Sequence, residues 1–122
     1  MSIAEKEWGS TDVQTAKYLA QLGEVLHIEG KELEAEPIAR RCLAIREKAL
    51  GPDNPEVALA LANVGTICAS LGQFREADSL LARSLAIYDR KLPPDHLDVA
   101  LAASKLGFVR GLQGKMAEFF NN

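Results

Sequence analysis

Offset by 42 residues, the sequence falls into step with itself. Ala16, Leu19, Ala20, Gly23 and Gly30 meet Ala58, Leu61, Ala62, Gly65 and Gly72. Glu34, Ala35, Arg41, Leu43, Ala44 and Ile45 meet Glu76, Ala77, Arg83, Leu85, Ala86 and Ile87, and Leu50, Pro52 and Asp53 meet Leu92, Pro94 and Asp95. These 14 identities in 42 positions are mostly small or apolar residues. A repeated unit of this length cannot bury its apolar face alone and must lay it on its neighbour, so the chain is expected to be a solenoid. Residues 55–96 form one complete unit, against which the rest of the chain is aligned.

Each unit reads as two helices. Thr11 to Gln14 has capping-box spacing, which predicts a helix from about Asp12, and Val13, Ala16, Leu19, Ala20, Leu22, Gly23 and Leu26 make its apolar stripe. Gly30 should end it, since glycine takes the positive φ that follows a helix. A second helix is expected over 31–50, with Leu33, Ala35, Ile38, Ala39, Cys42, Leu43 and Ile45 as its stripe. It breaks at Gly51-Pro52-Asp53-Asn54-Pro55, because proline lacks the N–H and biases its predecessor away from helix. Asn54 as N-cap and Pro55 as first helical residue start a third helix to about Leu71. A fourth covers 73–92 and stops at Pro93-Pro94. A fifth begins at Asp95 or His96 and runs to Gly114, after which Lys115 onward is expected to open a sixth.

The repeat also covers the N-terminus. Ile3, Glu5, Lys6 and Gly9 coincide with Ile45, Glu47, Lys48 and Gly51, and Trp8 stands in the place of Leu50 and Leu92. Residues 1–10 therefore resemble the end of a preceding unit's second helix, with a frayed leader as the alternative. The expected division is 1–10 as that helix end, 11–53 as the first unit, 54–95 as the second and 96–122 as a truncated third. Both ends fall inside a unit, as in a segment of a longer array or a remnant of one.

Within the unit, Leu61-x-x-Val64-Gly65-x-x-Cys68-x-x-x-Gly72-x-Phe74-x-x-Ala77-x-x-x-Leu81-x-x-Ser84-Leu85 places large and small residues as the tetratricopeptide repeat (TPR) does. The first unit matches with Leu19, Leu22, Gly23, Leu26, Gly30, Ala35, Ala39, Cys42 and Leu43, and the third with Leu106, Gly107 and Gly114. The glycine pairs seven residues apart do not fit HEAT or armadillo units. The usual TPR has about 34 residues; the longer unit here, with A-I-R-E-K-A-L-G-P-D-N-P-E-V-A at 44–58, resembles the TPRs of kinesin light chains. Two positions depart from the pattern: Glu32 replaces the aromatic at Phe74, and Phe119 replaces the small Ala77. The resemblance implies an all-α, right-handed TPR solenoid of antiparallel helix pairs, about two and a half repeats with a partial helix at each end. Gly23, Gly65 and Gly107 should let paired helices approach, with Ala35 and Ala77 completing the contact.

The residues carry no visible chemistry of catalysis. No nucleophile–base set, phosphate loop or metal cluster is legible, and neither an enzyme nor a cofactor is expected. His96 should help to start a helix, while His27 faces the groove, where a partner contact and a solvated side chain both remain open. Cys42 and Cys68 occupy core positions and form no redox motif. A net charge of −3 leaves no footprint for nucleic acid. No apolar run approaches the ~20 residues of a membrane helix, and none follows Met1 as in a signal peptide, so a cytoplasmic protein is expected.

What remains is the surface the resemblance implies. First helices of stacked TPR units line a concave groove, here through Lys17, Gln21, Glu24 and His27, then Leu59, Asn63 and Thr66, then Leu101, Lys105 and Phe108. Asn63 matches the asparagine with which such repeats hold a peptide backbone. Asn63 and Lys105 fit the carboxylate clamp of chaperone-binding TPRs, but Ala20, Glu24 and Leu101 stand where that clamp needs Lys, Asn and Lys. Arg40, Arg41, Arg46 and Lys48, interleaved with Glu34, Glu36 and Glu47, read as a charged convex surface. The expected function is a non-catalytic module binding a peptide or protein segment in the groove. Alternatives are self-association, a homo-oligomer stacked through the truncated ends, or a regulatory arm of a larger signalling protein.

Overall fold

The computed structural model describes residues 13–121. The expected helix end at 1–10 and the capping residue Thr11 lie outside that range. Five helices follow one another: α1 (Val13–Ile28), α2 (Glu32–Leu50), α3 (Pro55–Ser70), α4 (Phe74–Lys91) and α5 (Leu97–Asn121). Consecutive helices pack together, α3 also touches α5, and α1 stands off from α3.

The turns inside the two units are copies of each other. Gly30 and Gly72 take φ of 79° and 81°. In the first, Lys31 N donates to Leu26 O at 2.8 Å and Gly30 N to His27 O at 3.0 Å; in the second, Gln73 N donates to Cys68 O at 2.8 Å and Gly72 N to Ala69 O at 3.0 Å. This is the Schellman pattern, which satisfies the last carbonyls of each first helix. Between units, the Asn54 side chain accepts from Glu56 N at 2.8 Å with Pro55 next in line, as the sequence predicts. At the next boundary His96 Nδ1 takes the same role, accepting from Asp98 N at 3.0 Å.

The pairing inside each unit repeats down to one hydrogen bond. Cys42 Sγ donates to Ala16 O at 3.3 Å, and 42 residues later Ser84 Oγ donates to Ala58 O at 2.7 Å. Close approach is enforced at one glycine. A Cβ on Gly65 would sit 2.9 Å from Leu81 Cγ, whereas on Gly23 it would meet Ile38 Cγ2 at an ordinary 3.6 Å. The register explains the difference: Ala39 stands in the first unit where Leu81 stands in the second.

Four expectations need correction. The sixth helix does not form, because α5 runs unbroken through Gly114 to Asn121. Gly114 does not adopt positive φ, and Phe119, in the register of Ala77, is too large for the contact Ala77 makes against Gly65. Phe119 is instead 77% exposed. Gly107 accordingly hosts no close approach, having nothing within 4 Å of a built Cβ. Leu33 is not part of the α2 stripe but 78% exposed. Pro37 lies inside α2 without ending it; its missing N–H falls on an exposed face, where water can serve the Leu33 carbonyl.

Candidate partner-binding groove

A concavity of about 430 Å³ opens between α1 and α3, floored by α2 and reached by Lys105 of α5. Eight of the ten expected groove residues line it: Lys17, Gln21, Glu24, His27, Leu59, Asn63, Thr66 and Lys105. They come together because α1 and α3 present equivalent faces, with Lys17, Gln21 and Glu24 in the register of Leu59, Asn63 and Thr66. Leu101 and Phe108 do not line this concavity; they lie 48% and 67% exposed on α5.

Two lining side chains already have partners within the chain, and one residue lines the groove that was not expected there. His27 is paired: its Nδ1 lies 2.8 and 2.9 Å from the two carboxylate oxygens of Glu32. Glu32 stands where the second unit has Phe74, so a polar clasp replaces an aromatic one across the α1–α2 turn. Thr66 Oγ1 donates to Ala62 O at 2.9 Å, which leaves its oxygen as an acceptor only. Arg46 is not on the opposite surface. It lines the concavity with Ala39 and Cys42. The signal was present in the sequence, since Ala35, Ala39, Cys42 and Arg46 follow one helical stripe of four-, three- and four-residue steps.

The charges in the molecule are distributed unevenly. Arg40 bonds Glu36 at 3.0 Å and also pairs with Glu76, while Arg83 donates to Glu47 at 2.8 Å. Arg90 pairs with Asp53, and Arg110 donates to Asp78 at 3.0 and 3.3 Å. These pairs tie α2 to α4 and α4 to α5 through long side chains. In the groove, by contrast, Lys17, Arg46 and Lys105 form no ion pair with any described residue. Glu24 is the one carboxylate among the described residues that line it. Asn63, half-buried between these cations, makes no hydrogen bond to a described residue. The arrangement offers an amide and three cations around the apolar Leu59 and Ile67.

Glu36, Cys68 and Glu76 bring ligand-type atoms within 4.8 Å of one another on the side of α2 and α4. The Arg40 guanidinium already occupies the cluster, with Nη2 also 3.4 Å from Cys68 Sγ, so the two carboxylates hold a permanent cation. Burial pushes the Cys68 and Cys42 thiols up from their ordinary value, against the opposing pull of Arg40 and Arg46 respectively. Both thiols are thereby kept in the unreactive protonated form at neutral pH.

No curated protein matches the chain. A family model described as tetratricopeptide repeat matches residues 12–90. That span covers both complete helix pairs, whose Gly30 and Gly72 turns, Ala35 and Ala77 contacts and shared 42-residue register are described above. The chain belongs to the tetratricopeptide repeat family.

Proposed function

We propose that this TPR domain is a non-catalytic docking module whose groove holds an extended protein segment carrying acidic and apolar side chains. TPR domains are in general protein–protein interaction modules. The observation that supports the finer reading is the contrast in pairing: the Arg40, Arg83, Arg90 and Arg110 guanidiniums are matched to carboxylates, while Lys17, Arg46 and Lys105 around Asn63 are not. A partner with carboxylates spaced along it would supply the missing counter-charges, and its backbone would meet the Asn63 amide. Leu59 and Ile28, 48% and 74% exposed, would cover its apolar side chains. Glu24 disfavours a single terminal carboxylate clamped at that end of the groove. The two buried thiols, Cys42 and Cys68, are unlinked, which supports a cytoplasmic setting.

Fluorescence anisotropy with labelled acidic–apolar, basic, C-terminal-carboxylate and amphipathic-helix peptides tests the reading. The acidic–apolar series should bind saturably, weaken as salt rises, and lose about tenfold or more with Asn63→Ala or Arg46→Glu. Equal affinity for acidic and basic peptides, or indifference to both substitutions, would overturn it.

A further inference from the structure

The cations of the groove are gathered toward one end of it. Each lies on a different helix: Lys17 on α1, Arg46 on α2 and Lys105 on α5. Cys42 Sγ donates to Ala16 O at 3.3 Å, which sets Lys17 next to that contact on α1 and Arg46 one turn along from it on α2. Lys105 shares the register of Gln21 and Asn63, one helical turn from that of Lys17 and Leu59. Glu24 follows Lys17 by seven residues, about 10 Å along the helix. It lies toward the other end, with the His27–Glu32 pair. A chain whose net charge is −3 thus carries three cations at one end of a single concavity.

That end is rich in donors. The two ammoniums and the guanidinium only donate, and the Asn63 amide adds two N–H groups. Neither the three cations nor Asn63 has a hydrogen-bonding or ionic partner among the described residues. Arg46 is half-buried on the floor, where a charge is stabilised by a counter-charge more than it would be in open water. A carboxylate brings one negative charge and two oxygens. Side chains on the same face of an extended segment are about 7 Å apart, so a second carboxylate is carried away from the cluster along the groove. A phosphate monoester brings about −1.5 to −2 charge and three acceptor oxygens at one point. The planar guanidinium fork matches two of those oxygens at once.

We infer, resting on the docking role proposed above, that the segment held in the groove is recognised through a phosphorylated serine or threonine. Arg46 holds the phosphate from the floor, and Lys17 and Lys105 hold it from the walls. Asn63 stays with the partner's backbone, and Leu59 and Ile28 with its apolar side chains. Glu24 sets the polarity of the bound segment, because like-charge repulsion keeps the phosphate from the end of the groove near the α1–α2 turn. Docking then strengthens when the partner is phosphorylated and weakens when the phosphate is removed.

The test is fluorescence anisotropy of the full chain with one acidic–apolar peptide in three forms, carrying serine, phosphoserine or glutamate at a single central position. The phosphoserine form should bind about tenfold or more tighter than the serine form. The glutamate form should stay within about threefold of serine. Arg46→Lys keeps the charge and loses the fork, so it should remove most of the phosphoserine gain and change the serine form little. Circular dichroism of the variant checks that its helices are intact. Equal affinity for the serine and phosphoserine forms, with Asn63→Ala still weakening both, overturns the inference and leaves the docking role standing. No binding by any form overturns both. Equal gains from phosphoserine and glutamate also overturn the inference, since the groove then asks only for negative charge. So does a phosphoserine gain untouched by Arg46→Lys, which puts the phosphate elsewhere. Displacement of the phosphoserine peptide by a single-stranded oligonucleotide at equal concentration would assign the cations to nucleic acid and overturn it as well.

Discussion

Gly65 and Gly23 occupy equivalent places in the two units, yet they differ in what surrounds them. A methyl at Gly65 would collide with the branch point of Leu81, a fully buried side chain that cannot swing away. Gly65→Ala should therefore cost up to about 2 kcal/mol, an overpacking penalty of roughly 1–3 kcal/mol less the ~1 kcal/mol by which alanine favours helix. Gly23→Ala meets only ordinary contacts and should be neutral or stabilising by up to about 1 kcal/mol. Urea titrations of both variants measure this, and equal effects would contradict the account. Tyr88 provides a second residue-level prediction. Burial first, and then the Asp98 charge, push its hydroxyl from 10.0 to about 12. The folded chain thus keeps this proton where the unfolded chain has released it. Its contribution is complete below about pH 10 and is lost as pH rises through 12, by at most roughly 2–3 kcal/mol. Stability measured from about pH 9 to 12 should fall less steeply for Tyr88→Phe than for the unaltered chain. Arg46 shows what the sequence hid at this scale. It shares a register with Tyr88, but the second unit buries this position at 4% exposure while the first leaves it lining the groove. The stripe is legible from spacing; the gap between α1 and α3 that exposes it is not.

At the scale of elements, boundaries set by local chemistry were legible. Asn54–Pro55 starts α3 where expected, and Gly30 and Gly72 end α1 and α3, because each depends only on a few neighbouring residues. Removing that chemistry should show: Asn54→Ala loses the bond to Glu56 N and should lower stability by about 1 kcal/mol. The end of α5 was not legible, and the reason is tertiary. Gly72 and Gly114 hold equivalent positions, but after Gly72 the chain turns back so that Ala77 and Leu81 pack on Gly65. After Gly114 the equivalent small residue is Phe119, and Lys115, Met116, Ala117 and Glu118 all favour helix. A glycine permits a turn without compelling one. Gly114 is helical and exposed, with nothing within 4 Å of a built Cβ. Gly114→Ala should therefore raise stability or helicity, by about 0.5–1 kcal/mol. Gly72→Ala at φ of 81° should do the reverse. Circular dichroism melts of the pair decide the point: a destabilised Gly114→Ala chain would show that the residue serves a turn after all.

Over the whole molecule, the apolar contacts do not form one body. A large cluster runs from Ala35 and Ala39 of α2 through α3 and α4 to Val99, Ala102, Leu106 and Val109 of α5. A separate cluster of Ala16, Leu19, Cys42 and Ile45 holds α1 to α2. Among the described residues α1 attaches mainly to α2, and its Leu26 also packs against the large cluster. In a solenoid each unit contributes its own stability and its interface with the next, so an end held by a small cluster opens by itself. Native-state hydrogen exchange should accordingly rank the amides of α1 as less protected than those of α3 and α4, whose helices share the larger core. Core truncation sharpens the distinction. Leu61→Ala empties a fully buried site in the main cluster and should lower global stability by about 2–5 kcal/mol. Leu19→Ala, 42 positions earlier, should mainly release α1 while α3 and α4 keep their protection. That outcome would carry a functional consequence, because α1 supplies Lys17, Gln21, Glu24 and His27 to the groove. A segment bound there would bridge α1 to α3 and close the gap that the apolar contacts leave, so it should raise α1 protection more than any other element's. Uniform exchange along the chain, with Leu19→Ala and Leu61→Ala lowering every helix equally, would instead mean that the two clusters melt as one.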